Sequence, residues 1–110
     1  NKTEVTNRVN TAILVNKLEN IENLTIKNLS TFDKLRVAIT RLSLRPLEFL
    51  VVDDIFKNVS EDDRLKLAEM LKDLIAKNNN ITTLIAVNSE KMAKIFKGTV
   101  VKIKYGSIVE

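Results

Sequence analysis

The chain contains no cysteine, no histidine and no tryptophan. Disulfides, thiolate or imidazole metal sites, cysteine nucleophiles and every triad that uses histidine as its base are therefore excluded. Glycine occurs only at Gly98 and Gly106, so neither a G-x-x-x-x-G-K-[ST] phosphate loop nor a G-x-G-x-x-G turn fits anywhere in the sequence. No apolar run approaches the roughly 20 residues that cross a bilayer, and no charged-then-apolar leader opens the chain. These absences predict a soluble, cytoplasmic protein with no membrane partner. What is present, 110 residues of which 45% are apolar and 29% charged, suits one compact domain. A net charge of +4 permits contact with nucleic acid or an anionic surface without requiring it.

Val5, Val9, Ala12, Ile13, Leu14, Leu18 and Ile21 follow the spacing of an amphipathic helix, interrupted by asparagines of poor helix propensity. Two readings stand for residues 1–28: an ordinary surface helix, or the stub of a longer coiled coil, followed in either case by a short strand around Leu24 and Ile26. The chain starts at Asn1 rather than Met, in keeping with a piece cut from something longer. Ser30 and Asp33 then offer an N-cap to a helix whose buried face is Leu35, Ala38, Ile39 and Leu42, and Pro46 forces a turn.

Phe49-Leu50-Val51-Val52 ends abruptly in Asp53-Asp54, the pattern of a strand buried on both faces of a parallel sheet with its acids at the carboxyl end. Ser60 starts an acidic-ended helix, with Leu65, Ala68, Leu71, Leu74 and Ile75 inward. A second buried strand spans Ile81 to Val87, and a helix over Ser89 to Phe96 stops at Gly98. A hairpin over Thr99 to Val109 turns at Gly106. Buried strands alternating with crossover helices predict an α/β layer structure, in which ligands sit at strand carboxyl ends. Asp53, Asp54 and Asn88 all fall at such ends.

Two carboxylates at the tip of a buried strand are costly unless something positive neutralises them. One reading is magnesium with a nucleotide phosphate: Asp53 holding the ion and Asp54 facing the attacking water. The other is a solvated loop after a strand, partnered by Lys57 or capping a helix. A phosphoacceptor receiver domain is set aside, because too few residues follow the acids for its later elements.

Residues 29–110 resemble the C-terminal part of an ABC-type ATPase nucleotide-binding domain, a P-loop NTPase-like half. Leu29-Ser30-Thr31-Phe32-Asp33 followed by Arg36-Val37-Ala38-Ile39 resembles the family signature, L-S-G-G-E/Q with a helix reading R-V-A-I. Phe49 to Asp54 resembles its Walker B strand, Asn58-Val59-Ser60 its D-loop, Thr83 to Met92 its switch strand and loop, and Lys97 to Glu110 its closing hairpin. Ile55-Phe56 is closer to the Gly-Phe of the SMC-like DNA-repair branch than to the Pro of transporter subunits.

The resemblance implies a head of two lobes, the first supplying the Walker A loop, two heads sandwiching ATP and Mg2+, and work on DNA, in some members with a nuclease subunit. Carried onto this chain, Ser30, Thr31, Phe32 and Asp33 would meet the γ-phosphate bound in the partner head, and Asn58, Val59 and Ser60 would form the D-loop. Asp53 would hold magnesium, Asp54 would be the general base and Asn88 the γ-phosphate sensor. The departures fall on the same positions. Thr31 and Phe32 replace two glycines, Asp54 is one methylene shorter than the usual Glu, Asn88 stands for His, and Ser60 stands for an acid. A head that dimerises or clamps DNA without turnover is therefore the alternative expectation, and a transporter subunit a third. Lys91, Lys94, Lys97, Lys102 and Lys104 cluster near the end and could track a DNA backbone; with no aromatics interleaved to stack bases, a solvated face is the favoured expectation.

Overall fold

A computed structural model of the chain describes residues 1–21 and 28–109. The strand expected around Leu24 and Ile26 lies outside the described residues, as does Glu110.

Helix α1 (Lys2–Val15) opens on Asn1, whose side chain accepts from the Glu4 backbone N–H at 2.9 Å. It ends sooner than its apolar spacing predicts. Asn16 closes it, Lys17 turns into the left-handed region at φ 58°, and Leu18 and Ile21 are buried from the turn that follows. No residue of α1 is buried, and Val5, Leu14 and Val15 are exposed. The apolar stripe is thus split between an exposed helix and a buried turn.

Helix α2 (Thr31–Leu42) is capped as expected, the Ser30 hydroxyl accepting from Asp33 N–H at 3.1 Å. Strand β1 (Phe49–Asp53) leads through Asp54 to Ser60, which caps helix α3 (Glu61–Lys77) in the same way at 3.2 Å. Strand β2 (Thr82–Ala86) returns parallel to β1, with Phe49 beside Thr82, Val51 beside Leu84 and Asp53 beside Ala86. Helix α4 (Glu90–Ile95) begins at Ser89 and stops before Gly98: Lys97 is the residue at positive φ, 51°, and Phe96 is the cap. Strands β3 (Lys102–Lys104) and β4 (Ser107–Val109) form the antiparallel hairpin.

The core lies where α3 crosses the sheet. Leu67, Ala68, Leu71 and Leu74 of α3 meet Leu50 and Val52 of β1, with Ile39 of α2, Phe56 and Met92 completing the cluster. Each buried leucine contributes about 1.5–3 kcal/mol relative to exposure. Phe96 turns inward, its ring 6.3 Å from that of Phe56.

The expectation of strands buried on both faces is corrected. Phe49, Val51 and Leu84 are 71%, 71% and 68% exposed, all on the face opposite the core. The reason is coverage: α3 packs one face of a sheet that has only two strands among the described residues, and α2 packs on α3. The opposite face is apolar and open. The protein is therefore a mixed α/β chain with a small parallel sheet and a C-terminal antiparallel hairpin. Among the described residues no helix is long and apolar enough to cross a membrane.

Candidate functional site

Parallel pairing brings the carboxyl ends of β1 and β2 side by side, because the βαβ crossover fixes both strands in one direction. Asp53 closes β1 opposite Ala86 and is exposed. Asp54 follows at φ 38°, its backbone N–H donating to the Ala86 carbonyl at 2.9 Å. That bond holds the residue in a left-handed conformation costing of order 1 kcal/mol, a strain that Asp tolerates better than most side chains. Asn88 lies just past the end of β2, exposed, immediately before the Ser89 cap of α4.

Asp54 is half-buried, and its Oδ1 is buried with no hydrogen-bond partner among the described residues. The expected Lys57 partner does not form: neither Asp53 nor Asp54 makes an ion pair among the described residues. A buried carboxylate oxygen without a donor is the kind of group a hard cation satisfies. Among the described residues no cluster of three or more acidic, His or Cys side chains could hold a metal ion alone. Two carboxylates still fit magnesium, which takes one or two from the protein and completes its shell with phosphate and water.

The residues matched to the signature form a second group, at the start of α2. Ser30 and Thr31 are exposed. Phe32 is half-buried against the core, with the Arg36 guanidinium 5.2 Å and the Lys66 ammonium 6.0 Å from its ring. The Asp33 carboxylate accepts from Arg36 at 2.9 Å and already places negative charge in the first turn. The cavities lined by Phe32 and by Asn88 share no residue.

In the matched D-loop, Asn58 is exposed, Val59 packs on the core and its carbonyl accepts from Arg64 Nε at 3.1 Å. The Ser60 hydroxyl is engaged by Asp63 N–H. Close by, Lys91 Nζ donates to Glu61 Oε1 at 2.6 Å and holds that carboxyl below the usual carboxylate range, linking α4 to the start of α3.

Two residues escaped the reading of the sequence. Arg36 donates to the carbonyls of Asn16 and Lys17, at 3.0 and 2.7 Å, besides Asp33. Tyr105 stands at the hairpin tip, 96% exposed. The signal for Tyr105 was local: Tyr-Gly occupies a tight turn where Asn-Gly is favoured. No signal in the sequence marks the long-range bonds of Arg36.

The fold and site define a mixed α/β protein with an acidic strand tip. No family model, curated protein or solved structure matches the chain.

Proposed function

We propose that the chain is the C-terminal half of an SMC-like ABC ATPase head, P-loop NTPase-like in fold, completed by an N-terminal lobe that carries the Walker A loop. The observation that carries this reading is the unpartnered Asp54 Oδ1 beside Asp53 at one end of a parallel βαβ unit, with Asn88 at the neighbouring strand end. The open face of Phe49, Val51 and Leu84 supports it as well. So does a groove of about 500 Å³ between β2 and residues 98–103, floored by Leu84, Ile85 and Phe96. A two-stranded sheet with an apolar face calls for further layers.

In this reading Asp53 would hold magnesium with ATP, the ion neutralising phosphate charge. Asp54 would orient and deprotonate the attacking water, and the Asn88 amide would donate to the γ-phosphate. Ser30 to Asp33 meet the nucleotide of a second head in a homodimer. DNA is the substrate on which opening and closing of the dimer acts in recombination or repair, a nuclease subunit is a further partner, and the compartment is the cytoplasm.

The geometry at α2 favours a second reading, a head that dimerises or clamps DNA without turnover. The Ser30 hydroxyl is taken up by its cap, and Thr31 and Phe32 stand where the family signature presents the bare backbone of two glycines to a γ-phosphate. Reconstitution with a Walker A lobe separates the two. Magnesium-dependent ATP hydrolysis that falls about 100-fold or more with Asp54→Asn supports the first reading. Turnover unchanged in that variant removes Asp54 as base, and no turnover in any reconstituted pair leaves the second.

A further inference from the structure

We propose that the tip of the β3–β4 hairpin binds single-stranded nucleic acid, the Tyr105 ring stacking on a base while Lys104 and its neighbours contact phosphates. Three observations converge. Tyr105 is 96% exposed, a large aromatic that the fold itself does not use, with Lys104 Nζ 5.6 Å from its ring centroid. Its backbone is at φ 51° and that of Gly106 at 78°, so both central residues of a two-residue turn have positive φ. Asn, Asp or Gly suits the first such position best, and Tyr stands there against local preference.

The third observation is charge. Residues 91–109 contain five lysines and no acid. Lys91 and Lys102 are paired with Glu61 and Glu90, whereas Lys94, Lys97 and Lys104 make no ion pair among the described residues. The Lys102 pair and a cleft of about 380 Å³ lined by Asn88, Ala93, Val101 and Lys104 set the hairpin beside α4. The tip is thus presented from a fixed base. Lys102 and Lys104 share one face of the hairpin, opposite Ile103. Lysines free of ion pairs at Lys94, Lys97 and Lys104, with an exposed aromatic beside the last, match the combination that holds single strands, electrostatic tracking of the backbone plus base stacking. Ile103 and Ile108 are also exposed and would suit a protein partner, but the excess of lysine over acid favours a polyanion.

This inference deepens the DNA contact of the proposed function and needs no nucleotide, so an assay without ATP separates its failure from that of the ATPase reading. The test is fluorescence anisotropy of the chain with a labelled oligothymidylate of roughly 12 nucleotides, a length within the usual single-strand site sizes. Binding should be measurable at low salt and weaken as salt rises, with a logarithmic slope near −2 if about three lysines contact phosphate. Tyr105→Asn, which suits the turn better than Tyr, should keep the fold yet weaken binding about 10-fold, while Tyr105→Phe retains it. Lys104→Gln should reduce the slope by about 0.7. Unchanged affinity in Tyr105→Asn overturns the proposal, as does equal affinity for a blunt duplex whose bases are already stacked. Absence of binding at low salt overturns it too, and leaves Ile103 and Ile108 as a protein-facing surface.

Discussion

The Arg36 guanidinium donates to the Lys17 carbonyl at 2.7 Å, joining α2 to a turn 19 residues earlier in the chain. The same side chain reaches Asn16 O at 3.0 Å and Asp33 Oδ1 at 2.9 Å, so one planar group satisfies two carbonyls at the end of α1 and an acid at the start of α2. Bonds from a charged donor contribute about 1.5–3 kcal/mol, and the fixed fork of arginine is what reaches three acceptors at once. Arg36→Lys should therefore destabilise the chain by about 1–2 kcal/mol, read as a lower urea midpoint. Faster amide exchange at Leu18 and Ile21 should accompany it. A midpoint equal to the parent would show that the clamp is neutral.

Thr83 sits on the inward face of β2 with its Oγ1 buried and without a partner among the described residues. Valine has nearly the same shape and no group to satisfy. Thr83→Val should raise stability by about 1 kcal/mol, seen as a higher melting temperature. A lower melting temperature would mean that the hydroxyl is satisfied in solution.

The contrast between Ser60 and Val51 shows how far the sequence was legible. Helix caps are local: a Ser three residues before an N–H in need of an acceptor is decided within one turn, and Ser30 and Ser60 cap where expected, while Ser89, expected as the first residue of its helix, caps it. The order β1, α3, β2 followed from period and length in the same local way. Burial is not local. Phe49-Leu50-Val51-Val52 has the same composition whether one face or two are covered, and only the layers present decide that Val51 is exposed. Positive φ at Lys17 and Asp54 was equally invisible, because each is imposed by contacts that override residue preference. At the candidate site the strand tip was legible from Asp53-Asp54. The use of Ser30 and Asp33 within α2 emerged only with their bonds in view.

Glu90 carries a pH dependence. Lys102 hydrogen-bonds its carboxylate and attracts it, with Lys94 adding to the attraction, and together they hold its pKa below the usual carboxylate range. A folded pKa lower than the unfolded one contributes stability above the unfolded value, lost as pH falls through the folded one. The hairpin should thus loosen from α4 only below about pH 4, since an unperturbed Glu titrates near 4.3. Amide exchange of β3 corrected for its intrinsic pH dependence should show this, and Glu90→Gln should remove the transition. A transition that persists in that variant would assign it to another carboxylate.

Asp54 sets stability against chemistry. Its buried Oδ1 has no partner among the described residues, and its backbone is left-handed at φ 38°, two costs that the fold carries at one residue. Asn tolerates the same backbone and removes the buried negative charge. Asp54→Asn should therefore raise the unfolding free energy by about 1 kcal/mol in the isolated chain. If the carboxylate is there as base beside a magnesium held by Asp53, millimolar magnesium and ATP should stabilise parent and variant alike once the Walker A lobe is supplied, and only the parent should turn over. Greater stability without ligand and lost turnover with it is the signature of a residue that serves chemistry at a cost to the fold. Destabilisation of the isolated chain by Asp54→Asn would instead assign the carboxylate a structural role, and the acidic strand tip would no longer point to nucleotide.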